Sequence, residues 1–107
     1  MPFHEIPRQD WESFFDRFSR QHVNAQVDAE VRGRDVQGRI AEHLALQGIT
    51  ANLEEEDKIQ IIMGDPSREN VTTHVIEAPN RVTLREDAGH EQVEIEAVDG
   101  TLTTVSL

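Results

Sequence analysis

No cysteine occurs anywhere in the 107 residues, which rules out disulfides, cysteine-ligated zinc, thiol catalysis and iron–sulfur clusters. No apolar run approaches the roughly 20 residues that a membrane-spanning helix requires. The amino-terminal MPFHEIPRQDW carries acids and prolines where a signal peptide would carry its apolar stretch, so a cytoplasmic location is expected. Lysine is almost missing as well. Nine of the ten basic residues are arginine, only Lys58 is lysine, and 21 acids bring the formal charge to −11. A field of that sign repels phosphate backbones and anionic lipid, so neither nucleic acid nor membrane is an expected partner. An acid-rich, lysine-poor surface suits a high-salt cytoplasm and a halophilic bacterial source. A high-GC genome accounts for the arginine bias equally well.

Aromatic residues are scarce and confined to one place: Phe3, Trp11, Phe14, Phe15 and Phe18 all lie in the first 18 positions. The last four fall at i, i+3, i+4 and i+7, one face of a helix, which predicts an amphipathic helix over residues 8–20. Pro7 suits its start, and Ile6 is placed to pack on Trp11 as a hydrophobic staple.

Beyond the helix the period drops to two. Val23, Ala25, Val27, Ala29 and Val31 alternate with polar residues and predict a strand over 23–32. Further strands are expected at 36–44, 49–53, 58–63, 71–77, 81–86, 93–98 and 101–106. Gly48 divides the second from the third, and Glu42 breaks the alternation of the second. Asp99-Gly100 predicts a two-residue type I′ hairpin that pairs Val98 with Thr101 and puts Leu102 inward with Val93, Ile95 and Ala97. The fold class is mainly β (α+β). An N-terminal amphipathic helix packs on a seven- to eight-stranded antiparallel meander, a curled sheet or small barrel, in one domain over residues 1–107. The strands offer mainly Val, Ile, Ala and Leu, so the helix has to supply the bulk of the core.

The helix IPRQDWESFFDRFSRQH, the segment LQGITANL with the following KIQIIMGD, the HVIEAP turn and the closing VEIEAVDGT resemble an uncharacterised bacterial family, a domain of unknown function of about this length. The resemblance covers nearly the whole chain. It implies a small stand-alone domain and brings no catalytic residues with it. A looser similarity is to Sm-like and SH3-like barrels, although the basic RNA-facing residues of an Sm-like protein are lacking. The arginines for such a surface would be Arg32, Arg34, Arg39, Arg81 and Arg85.

No chemistry-bearing constellation stands out. Glu54-Glu55-Glu56-Asp57 lacks the alternating oxygens and central glycine of a calcium loop and reads as the wet turn between strands 49–53 and 58–63. The five histidines form no close pair, so no metal site is expected; His74, within a strand, is the one expected to be partly buried. No serine sits in a nucleophile elbow and no glycine-rich loop occurs, so neither catalytic nor cofactor residues are assigned. Three apolar residues, Ile62, Val98 and Val105, fall on the faces opposite to their strand neighbours Ile61, Ala97 and Leu102. They mark either a second buried layer under the helix or a self-association patch. The leading expectation is a non-enzymatic interaction or accessory domain that binds a protein partner or itself as a homodimer. The alternative is a small-molecule-binding barrel or an enzyme with an unrecognised site.

Overall fold

The computed structural model describes residues 3–33, 37–87 and 89–107. Its elements are β1 (Phe3–Ile6), a 3-10 turn (Arg8–Asp10), α1 (Trp11–His22), β2 (Gln26–Arg32), β3 (Gln37–Asn52), β4 (Lys58–Asp65), a second 3-10 turn (Pro66–Arg68), β5 (Asn70–Glu77), β6 (Pro79–Asp87), β7 (His90–Ala97) and β8 (Leu102–Ser106). The strands form one antiparallel sheet in the order β1-β6-β7-β8-β2-β3-β4-β5, which curls around the core without closing. The mainly β fold with an N-terminal helix is therefore as the sequence pattern implies. The count of eight conceals two compensating differences, since β1 is unforeseen and the strands expected at 36–44 and 49–53 are one.

The aromatic face of α1 fills the interior. Trp11, Phe15 and Phe18 are buried, and they join Val27, Leu46, Ile49, Ile59, Ile61, Met63, Val82, Val93, Ile95 and Val105 in a single core cluster. Phe14 sits at the edge of that cluster, edge-on to Phe15 at 5.2 Å between ring centroids. Where a staple of Ile6 on Trp11 is expected, the indole Nε1 also donates to the Ile6 carbonyl at 2.8 Å, tying the helix to β1. The helix runs two residues past its expected end. There His22 Nε2 meets Glu91 Oε2 of β7 at 3.0 Å.

β3 explains why its alternation looked broken. The ladder with β2 pairs Leu44 with Val27 and Ala41 with Ala29, which leaves an extra residue in β3 at a bulge where His43 takes a φ of 53°. The same ladder shifts again to set Arg39 opposite Glu30, with Ile40 extra, and the ladder with β4 sets Leu46 opposite Met63 and Gly48 opposite Ile62, with Gln47 extra. Each bulge advances the inward phase by one, so the inward residues run Ala41, Leu44, Leu46, Ile49, Ala51. In the first segment Ala41 is buried and Ile40 packs partly buried against the core. Gly48 does not separate two strands. It lies within β3 where the helix comes close, and a Cβ there would sit 3.7 Å from Ser19 Oγ. β2 has already peeled away at this point, because its pairing starts at Gln26 opposite Ala45. Ser19 takes over the vacated edge, its hydroxyl accepting from Ile49 N–H at 2.8 Å and donating to Ile49 C=O at 3.2 Å.

The last hairpin corrects another expectation. β7 pairs with β8 so that Glu96 faces Leu102 and Val93 faces Val105, which leaves Val98, Asp99 and Gly100 as a three-residue loop. Gly100 N–H bonds the Ala97 carbonyl at 3.0 Å and Gly100 carries a φ of 91°, the type I turn with a left-handed third residue. One added loop residue turns every β8 side chain over. Thr103 and Val105 consequently face the core, and Leu102 faces outward with Thr104.

The acidic stretch connects β3 to β4 as a turn, with Glu54, Glu55 and Glu56 exposed. Its end is structural. Asp57 forms an ion pair with Arg8, and its carbonyl accepts from Ala78 N–H at 3.0 Å. Ala78 makes the corner between β5 and β6. It is a single left-handed residue (φ 51°) at which β5 swings directly into β6, held by Val98 N–H on its carbonyl at 2.9 Å.

Candidate functional site

An open sheet has two edges, and this one treats them differently. β1 is four residues long, carries His4 and Glu5, and is followed by Pro7. Glu5 pairs with Arg81 at 3.2 Å and Phe3 lies against the Arg85 guanidinium at 5.6 Å from its ring centroid. Short length, charge and a flanking proline are the usual protections of an edge strand. β5 is eight residues long and carries no charged carboxylate, lysine or arginine from Asn70 to Ile76. One side of β5 pairs with β4 from Asp65–Asn70 to Lys58–Glu77; the other side forms no ladder among the described residues. Its outward row is Val71, Thr73 and Val75, with Val71 44% and Val75 40% exposed, and Ile62 of β4 stands beside Thr73 on the same face.

Along the same edge the sheet parts. At Ala78 the chain leaves β5 for β6, and between β5 and the β7–β8 hairpin a cleft of about 400 Å³ opens. Val31, Ile76, Ala97 and Thr103, all buried, make its floor, while Thr101, His74, Asp99 and Glu77 supply polar groups nearer the surface. Because Val75, Ile76 and Glu77 line it as well, the cleft lies along β5 itself. Asp99 accepts from Thr101 N–H at 2.9 Å; that bond, then the Thr101 hydroxyl, holds its carboxyl below the usual carboxylate range.

His74 is half-buried, as its strand position implies, and desolvation pulls its imidazole below the ordinary value of 6.5. It stands opposite Ile61 on β4 and looks across the cleft towards Thr101, Thr103 and Asp99. A group that resists protonation in the folded chain lowers stability once the unfolded chain begins to take up the proton. The contribution is nil well above pH 6.5 and destabilises increasingly as pH falls below it. The urea midpoint is therefore expected to drop between pH 7 and pH 5, and His74→Gln to flatten part of that drop. Identical pH slopes for the two proteins would contradict this environment for His74.

Of the three apolar residues singled out by their pattern, only two are on the surface. Val105 is 0% exposed and belongs to the core, a direct consequence of the longer hairpin loop; a carboxylate there would be a buried charge, not an interface probe. Val98 is 70% exposed at the hairpin tip. Ile62 is half-buried on the outer face of β4, between Gly48 and Thr73, outside the core cluster that includes the helix. The three therefore form neither a layer under α1 nor one patch. What the pattern missed is the edge beside Ile62. Val71 and Val75 lie in the strand expected at 71–77, but nothing local says which strand is left without a neighbour.

The arginines weighed as a basic stripe are mostly matched by carboxylates. Arg39 reaches Glu42 at 3.2 Å and Glu30 at 3.5 Å, Arg81 reaches Glu5, and Arg85 pairs with Glu94; Arg34 lies outside the described residues. No group of three or more metal-ligating side chains occurs among the described residues, and no helix there is long and apolar enough to cross a membrane.

Fold and site together define a small, mainly β domain: an open eight-stranded antiparallel sheet curled over one aromatic helix, with a long edge strand free of charged carboxylate, lysine and arginine from Asn70 to Ile76 and a cleft beside it. The chain belongs to a family of unknown function, DUF5335, whose profile matches residues 3–107. No curated protein and no solved structure matches it.

Proposed function

We propose that the domain is a non-enzymatic recognition module that binds an extended segment of a protein partner as a ninth strand on β5. The observation that carries this reading is the unprotected edge, eight residues long with exposed Val71 and Val75 and no charge before Glu77. In strand addition the backbone of the edge supplies hydrogen bonds, and pockets for alternate side chains supply selectivity. Both parts are present on β5. A cytoplasmic setting belongs to the same reading.

A foreign segment suits the edge better than a second copy does. In the two-fold register centred on Thr73, Val71 would meet the copy's Val75, but Glu69 would face the copy's Glu77. Like charges directly opposite are destabilising, and two chains of charge −11 repel at longer range.

The test is direct binding of a blocked, fluorescently labelled peptide, Thr-Thr-Val-Ala-Val-Thr-Thr, by anisotropy. Changing both Val71 and Val75 to lysine removes the apolar cross-strand contacts of these two residues, about 0.2–1 kcal/mol each, and places charge on the edge. Roughly tenfold weaker binding is expected, with an unchanged melting temperature because both side chains are outside the core. Equal affinity for wild type and variant would remove β5 as the binding edge.

A further inference from the structure

We infer that the cleft beside β5 receives one side chain of the added strand and selects a long cation there, lysine or arginine. The inference rests on strand addition and goes on to say what the bound segment carries. An added strand alternates its side chains between the two faces of the sheet. Those on the outer face would meet Val71, Thr73 and Val75. The cleft between β5 and the β7–β8 hairpin is lined from both rows of β5, His74 and Ile76 on the inner one and Val75 and Glu77 on the outer one, so a side chain of the added strand beside residues 74–77 reaches it.

That space has a graded chemistry. Its buried walls, Val31, Ile76 and Ala97, are aliphatic and suit a run of methylenes. Its two charged groups, Glu77 and Asp99, are both acids, and no lysine or arginine lines it. The Asp99 carboxylate is already held in place by Thr101, so it needs no reordering to meet a cation. Long cationic side chains bury the stem and keep the head at a wet, charged rim, which is the arrangement offered here. A carboxylate at the same position would meet two like charges within a molecule of net charge −11. An uncharged stem would satisfy the walls and leave the acids without a partner.

The experiment uses four blocked peptides, Thr-Thr-Val-X-Val-Thr-Thr, with X as lysine, norleucine, alanine or glutamate, titrated into the full chain. Lysine is expected to bind roughly fivefold more tightly than norleucine, the gain of one or two partly exposed ion pairs, and glutamate weakest. The double variant Asp99→Asn with Glu77→Gln keeps an oxygen acceptor for Thr101 N–H. It is expected to bring the lysine and norleucine peptides to equal affinity. Equal binding of all four peptides to the wild type would overturn the cationic pocket and leave strand addition standing. A preference for norleucine or glutamate over lysine, or a lysine preference that survives in the variant, would overturn it likewise. No binding of any peptide would overturn both.

Discussion

Gly64→Ala is expected to cost about 4 kcal/mol or more, in the range where a single substitution marks a specific structural fault. Gly64 closes β4 with a φ of 122°, which only glycine adopts without strain. A Cβ there would run into the carbonyl oxygen of Asn70 and lie 3.0 Å from both its carbonyl carbon and Val71 Cα. These are backbone atoms of the neighbouring strand, so no side chain can swing away to make room. The site is also braced from behind, since Gln47, the extra residue of the β3 bulge, donates to the Gly64 carbonyl at 2.8 Å. Gly38→Ala is the control: nothing lies within 4 Å of a Cβ built there. Urea titration of both variants tests the point, with a loss of less than about 1 kcal/mol expected for Gly38→Ala. Equal midpoints for the two would show that the β4–β5 connection is not held as described. The consequence reaches function, because Gly64 sits at the start of the register that decides which face of β5 presents Val71 and Val75.

Phe15→Ala is expected to cost about 3–5 kcal/mol, the usual range for emptying a buried phenylalanine site. For a domain of this length that is a fall of roughly 15–30 °C in Tm. Phe15 is 0% exposed, and the strands around it contribute Val, Ile, Leu and Met side chains whose reach ends where the helix begins. Phe14→Ala, at the half-buried rim of the same cluster, is expected to cost distinctly less. Calorimetry on the two variants separates them; a smaller loss for Phe15→Ala than for Phe14→Ala would place the wrong face of α1 inside.

The elements that were legible in the sequence are those whose periodicity is unbroken. The i, i+3, i+4, i+7 aromatics located α1, and Ile59, Ile61 and Met63 located the inward face of β4. The acids before Lys58 read as a turn because strands flank them. The misreadings share a cause, which is that one residue more or less changes the phase. The bulges of β3 shift its inward row, among other places from Ala41 to Leu44 and again from Leu46 to Ile49, so a continuous strand looked like two. Asp99-Gly100 marked the hairpin correctly, but a three-residue loop and a two-residue loop bury opposite faces of β8, and Val105 went from surface to core. β1 carries too few residues to show a period at all. The candidate site was only half legible. Ile62 drew notice as an apolar residue facing outward, yet an edge is a property of the whole sheet order. That β5 has one neighbour and β8 has two is decided by pairings between segments distant in the chain.

Residue-resolved amide hydrogen exchange, with and without the lysine-centred peptide, tests the central claim most directly. Strand addition predicts slowed exchange at alternate amides of residues 70–77, those whose N–H groups point away from β4, with the amides of β1 unaffected. Protection confined to β1 or to the hairpin tip at Val98, with β5 exchanging as fast as in the free protein, would contradict it.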